Sequence, residues 1–342
     1  MAYTRISSNL LRLIVVTVIL LSLKQELHGQ ETGLIQAARA EGEVVFYSSS
    51  SVTEMKPLAD AFAVKYPFVK TDFYRSAGET LENRILTEDR AGRSRFDVLQ
   101  ADRPEFEDLI RRKIIGRYES PERKAYSTTN KDREGYWTNL HSSYYVIGYN
   151  TKMVPVGSAP RNWQDLLDQR WNGNFAMDPE DYSWYGTMVE YFGEDAGKRF
   201  MRALAKQNPI FRKGHSLISE LLAAGDFPTA LVYAHRVESI KKKGAPIEWV
   251  TSTKPIVAEM RIVGLSAKTK HPNAAKLFID FMLSREGQQI LRSFGRVVAR
   301  QDLEPLVPSL DPNKLTLYPA LSIPSSDLSL LAENFREVFG LK

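Results

Sequence analysis

The stretch Glu43–Phe62, EVVFYSSSSVTEMKPLADAF, constrains the fold most. An apolar strand, Val44–Tyr47, runs into four serines. The serines open a helix whose Met55, Leu58, Ala59 and Phe62 recur at helical spacing. Ser51 is placed to cap that helix, with Glu54 three residues on, as in a capping box. The unit then repeats. Val69, Thr71 and Phe73 alternate as a strand, and a polar loop leads into a helix ending near Arg90. Asp97–Leu99 is a third strand, and Pro104 starts the next helix. Repeated strand–helix units call for a mostly parallel sheet with helices on both faces.

A second unit of the same kind follows. Tyr144–Tyr149, Asn174–Met177, Thr229–Tyr233 and Ile247–Val250 read as strands. Gly186–Phe192, Asp195–Lys206 and Ser216–Ala224 read as helices. The 342 residues suffice for two lobes of ordinary size. The expected architecture is α/β and two-lobed. Residues 31–138 plus 262–342 form the first lobe, and 139–261 form the second with the hinge crossings. Those crossings fall near Trp137–Tyr145 and Thr253–Arg261, and the helix from Pro272 returns to the first lobe.

Residues 1–30 stand apart as an expected export signal. Arg5 and Arg12 flank the apolar run Leu10–Leu23, which falls short of the roughly 20 residues of a comfortable membrane span. Cleavage is expected near Gly29 or Gln30; a retained anchor is the alternative. Cysteine is absent, which excludes disulfides, a thiolate metal site and a lipid-carrying cysteine. The net charge is +5, but the basic runs Arg111–Lys113 and Lys241–Lys243 sit near expected helix ends without interleaved aromatics. They read as solvated faces, and nucleic acid is not an expected partner.

The candidate site residues lie where strands hand over to helices. Ser48, Ser49 and Ser50 offer hydroxyls and a helix N-terminus to an anion. Arg75, Ser76, Gly78 and Glu79 occupy the equivalent loop one unit later; Arg75 brings a planar donor fork and Gly78 allows close approach. Asp102 ends the third strand. In the second lobe, Trp184 and Tyr185 are candidates to cover a ligand, with core packing as the rival reading. His235 and Arg236 follow the strand Thr229–Tyr233. A cation at a helix N-terminus opposes the dipole, which favours an anionic partner there. His235 is also a candidate to respond to pH.

Catalytic patterns are weak. The five histidines make no H-x-x-x-H or H-E-x-x-H pattern, and no G-x-S-x-G, Walker or dinucleotide loop occurs. A carboxylate hydrolase using Asp102, Glu79 or Asp181 stays open, because such pairs form only in space.

The chain resembles family 1 extracellular solute-binding proteins of ABC importers, in their ferric-iron-binding-like branch. The resemblance rests on EGEVVFYSSSS, LADAFAVKYPFVKTDFYRSAGETLENRILTEDRAGRSRFDVLQAD, PRNWQDLLDQRWNGNFAMDP, LLAAGDFPTALVYAHRVESIKKKGAPIEWV and HPNAAKLFIDFMLSREGQQIL. It implies a periplasmic binding fold with a two-strand hinge and a central ligand cleft, a non-enzymatic role, no cofactor, and delivery of solute to an inner-membrane permease. A monomer in the periplasm is expected. Ferric-binding members take iron with a histidine in the first loop, a glutamate in the second and adjacent tyrosines after a second-lobe strand. Here those positions are Ser48–Ser51, Glu79 and Ala234–Arg236. The departures favour a small anionic or zwitterionic organic solute, such as a phosphonate, phosphate ester or carboxylate. Ferric iron or another metal, through Glu79 and His235, is the alternative.

Overall fold

A computed structural model describes residues 33–76, 78–321 and 325–341. The export segment 1–30 and the side chain of Glu79 lie outside the described residues. Residues 33–41 form helix α1. Then follow β1 (Glu43–Ser48), α2 (Val52–Lys65), β2 (Lys70–Arg75), α3 (Gly78–Arg90), β3 (Val98–Asp102), α4 (Arg103–Arg111) and β4 (Ile115–Gly116). The long β5 (Thr138–Asn150) leads to β6 (Phe175–Met177), α5 (Tyr182–Phe192), α6 (Glu194–Ala205), β7 (Ile210–Phe211), α7 (His215–Ala224), β8 (Thr229–Tyr233), α8 (Ala234–Lys241) and β9 (Ile247–Trp249). The chain returns through β10 (Ile256–Ser266) to α9 (Pro272–Leu283), α10 (Arg285–Ser293), β11 (Val297–Val298), β12 (Leu317–Pro319) and α11 (Ser325–Phe339).

The sheet runs β2-β1-β3-β10-β5-β8-β6-β7. The outer strands of each lobe are parallel: β1 with β2 and β3, and β6 with β7 and β8. The middle departs from the expected mostly parallel sheet. β10 runs antiparallel to both β3 and β5, and β5 antiparallel to β8. The physical reason is that β5 carries the chain out to the second lobe and β10 brings it back. These two paired strands are the hinge. Their register slips between Arg261 and Ile262, which pair with His141 and Asn139. Such a bulge re-aims the side chains beside it.

Period-two alternation divides the core. In β1, Val44 and Phe46 pack with Met55, Leu58, Phe62 and Phe278 on one face, and Tyr47 packs with Leu81, Ile85 and Phe106 on the other. In β5, Tyr145 and Ile147 join the cluster of Trp163 and Trp184, while Tyr144 and Val146 join that of Ile218 and Leu222. Each lobe is thus a sheet with a separate apolar layer on either side.

Two expectations are corrected. Ser51 does not cap α2 through its side chain; its hydroxyl bonds the Thr53 hydroxyl at 2.7 Å, and Glu54 turns inward instead of back toward the cap. The C-terminal stretch does not stay with the first lobe. β12 pairs with Ile256–Ala258, and α11 packs on α5 and α6, placing Phe335 in the second lobe's core. α11 also touches α4 of the first lobe.

Candidate functional site

Three helices begin on one cavity of about 470 Å³ between the lobes. Ser49–Val52 bring the start of α2, Gly214–Ser216 that of α7, and His235 and Arg236 that of α8. Each N-terminus presents unpaired N–H groups and the positive end of its dipole. The guanidiniums of Arg75, Arg236, Arg261 and Arg296 line the same space.

Arg296 is the most engaged of the four. Its Nε and Nη2 donate to Glu54 Oε2 at 2.8 and 2.6 Å, and Nη1 donates to His235 Nε2 at 2.7 Å. Glu54 faces Arg236 as well, at 3.5 Å. One buried carboxylate therefore serves two guanidiniums. Burial, and then the charges of Arg296 and Arg236, hold His235 well below the usual imidazole range, so it is a neutral acceptor. The expectation that His235 responds to pH is corrected on that ground. His141, buried beside the same arginines, is depressed for the same reasons. Arg75 donates to the Ser50 carbonyl at 3.4 Å and has no carboxylate partner among the described residues.

A second polar cluster sits on the hinge. Arg261 pairs with Asp102 and, at 2.9 Å, with Glu259. Tyr233 Oη lies 3.0 Å from Glu259 Oε2 and 3.1 Å from Tyr145 Oη. Burial pushes Glu259 up to about 7 and lowers Arg261 to about 9. His215 Nε2 meets Asp181 Oδ1 at 2.9 Å, and its ring lies 4.2 Å from that of Tyr233. Burial pulls His215 down, but the charge and hydrogen bond of Asp181 outweigh it, and the net shift is upward.

Of the residues singled out from the sequence, Ser49, Ser50, Arg75, His235 and Arg236 line this cavity. Ser48 is buried: its hydroxyl donates to Gln100 Oε1 at 2.5 Å and accepts from the Ser50 N–H at 3.0 Å, so it shapes the loop from behind. Ser76 extends the β1–β2 ladder through its N–H to the Ser48 carbonyl. Gly78 and Asp102 border a narrow crevice beside Ser49, and Asp102 reaches the cavity only through Arg261. Trp184 and Tyr185 are corrected to core. Helical periodicity turns Trp184, Tyr185 and Met188 into the second lobe, where Trp184 meets Trp163 at 5.1 Å and Tyr185 meets Phe335 at 5.7 Å. Sequence reasoning missed Glu54, His215, Arg261 and Arg296. For His215 a signal existed, since it opens a helix after Gly214, as His235 lies in the first turn of one that follows a strand.

Two α/β lobes, a paired-strand hinge and a polar cleft fed by helix N-termini define a solute receptor of the periplasmic binding type. The model of the family described as "Bacterial extracellular solute-binding protein" matches residues 96–316, and the chain belongs to that family. An Fe(3+)-binding periplasmic protein of Serratia marcescens is 23% identical over 269 residues, covering 75% of this chain and 78% of the relative. Among solved structures, iron-bound HitA from Pseudomonas aeruginosa superposes with a TM-score of 0.76 at 19% identity, covering 86% of this chain and 99% of that one. The periplasmic binding protein AfuA from Actinobacillus pleuropneumoniae, with fructose-6-phosphate bound, gives 0.77 at 21% identity, covering 88% and 99%. These structural likenesses show the fold. The protein is a periplasmic solute receptor that works with the permease of an ABC importer, and it is not an enzyme.

Proposed function

We propose that the imported solute is a small organic anion, a phosphate ester or a carboxylate, held between the lobes by Arg75, Arg236 and the Ser49–Ser50 loop. The observation that carries this reading is the convergence of three helix N-termini and four guanidiniums on one cavity. Glu54 supplies one negative charge to two of those guanidiniums, and Arg75 has none from the described residues. Arg261 is already met by Asp102 and Glu259, so the positive charge short of a partner lies at Arg75 and Arg236, where an anion fits. The cavity's volume suits a solute of a few to a dozen or so heavy atoms.

A second reading, ferric iron, is favoured by the names of the Serratia and Pseudomonas relatives and by the paired phenols of Tyr145 and Tyr233. Arginine charge at His235 opposes a bare cation at that position. Isothermal titration with fructose 6-phosphate, citrate, inorganic phosphate and Fe³⁺ separates the two. The anion reading expects saturable heat from an anion alone. No heat from any anion, with a visible phenolate-to-iron band on adding Fe³⁺, would replace it with the iron reading.

A further inference from the structure

Glu54 belongs to α2 of the first lobe, and Arg296 to the segment joining α10 to the hinge. Arg236 and His235 belong to α8 of the second lobe, whose Ala234 and Val237 lie in that lobe's core. The Glu54–Arg236 contact therefore joins the two lobes directly through the protein's own side chains, and the Arg296–His235 contact ties α8 to the segment beside the hinge. Arg296, beside the hinge, donates twice to the single oxygen Oε2 of Glu54, both residues nearly fully buried, and the pair presents a carboxylate oxygen and an N–H to α8 of the other lobe. Glu54 Oε2 is committed to Arg296, while Oε1 meets Arg236 at a longer 3.5 Å, the weaker and more exchangeable half of the arrangement. A carboxylate gripped by arginines from both sides does for the lobes what a captured anion would do.

We infer that Glu54 is an internal anion of the cleft, which holds the lobes together before solute arrives and gives up Arg236 to the solute's anionic group on capture. The exchange part rests on the anion reading of the site; the latch part does not. Glu54 is then a specificity determinant that never touches the solute. A weak anion fails to displace it, and a solute with a second negative charge aimed at α2 is repelled by it.

The chain has no cysteine, so Lys56→Cys and Lys242→Cys, both exposed, give a single spin-labelled pair reporting on the two lobes. Without solute, the distance distribution should be short in the parent and longer in Arg236→Gln, which leaves the Glu54–Arg296 pair whole and so keeps the fold. Glu54→Gln should open the ligand-free protein likewise. Combining the two substitutions should add nothing further, as for two ends of one contact. Citrate or fructose 6-phosphate should bind about tenfold more tightly to Glu54→Gln and more weakly to Arg236→Gln, a coupling of ordinary size. Equal ligand-free distances in the parent and Arg236→Gln overturn the latch. Weaker anion binding by Glu54→Gln overturns the exchange. If neither anion binds any form, the anion reading and the exchange with it fall, while the solute-free distances still decide the latch.

Discussion

Two histidines, one buried and one partly buried, stand at two helix N-termini on the same cleft, and their environments shift them in opposite directions. His215 opens α7, and His235 is the second residue of α8. Both dipoles disfavour a cation, and burial disfavours it twice over. His235 obeys, because its neighbours are Arg296 and Arg236. His215 does not, because Asp181 sits at 2.9 Å, and Asp178 and Glu259 add to the pull. The comparison teaches that nearby charge, rather than burial or helix position, decides the protonation of this cleft. On one side arginines push the imidazole toward its neutral form; on the other an acid favours its charged form.

Four substitutions break or sharpen that contrast. The largest effect is expected from Arg296→Met. It leaves Glu54 only its longer contact with Arg236 and frees His235, and should cost about 3 kcal/mol of unfolding free energy, the lower end of the loss when a buried pair is broken from one side. Urea denaturation measures the cost, and the His235 resonance should move toward an ordinary imidazole titration.

Asp181→Asn should come next. His215 then loses the partner that raises it, and its titration midpoint, followed by NMR, should fall below that of the parent. The sign follows from linkage. A raised histidine contributes stability that is complete below its unfolded value near 6.5 and is lost as pH rises through the native value. The variant should lose about 1–3 kcal/mol at acidic pH, with a smaller difference from the parent in alkali. An unchanged His215 midpoint would undo the comparison.

Arg75→Gln should leave both histidines and the fold alone while weakening the bound anion roughly tenfold or more, as for one charge-assisted hydrogen bond. Titration calorimetry reads this directly. The smallest effect belongs to His235→Gln. The amide oxygen can still accept from Arg296, so stability should change by about 1 kcal/mol or less.

Much of the fold was legible, because each strand, loop and helix announces itself locally. Thr229–Tyr233 is the same strand in sequence and structure, and β5 and β10 begin within the stretches Trp137–Tyr145 and Thr253–Arg261 but run on to Asn150 and Ser266. The placement of Ser49, Ser50, Arg75, His235 and Arg236 follows from the same logic, since loops at strand ends must meet between the lobes. Arg296 was beyond such reasoning: its carboxylate partner is 242 positions away, and nothing in FGRVV distinguishes it from a surface arginine. Glu54 was read for its local role and turned out to have a distant one. Trp184 and Tyr185 failed for another reason. An aromatic pair opening a helix looks the same whether it faces a ligand or a core, and only the partners Trp163 and Phe335 settle which. The helix at Ser325–Phe339 was not anticipated, although its apolar positions could have been counted.

The return of α11 to the second lobe means that the polypeptide passes between the halves three times: through β5, through β10 and again beyond α10. No uninterrupted piece of the chain holds all the parts of either half. A truncation after Ser293 would deprive the far half of Phe335, and a fragment covering 139–261 would cut β10 short after Arg261 and lack Phe335 as well. Neither half is therefore a portable module. A gene fusion or a split-protein sensor built on this scaffold has to interrupt surface loops within the intact whole, because any clean division severs both halves at once.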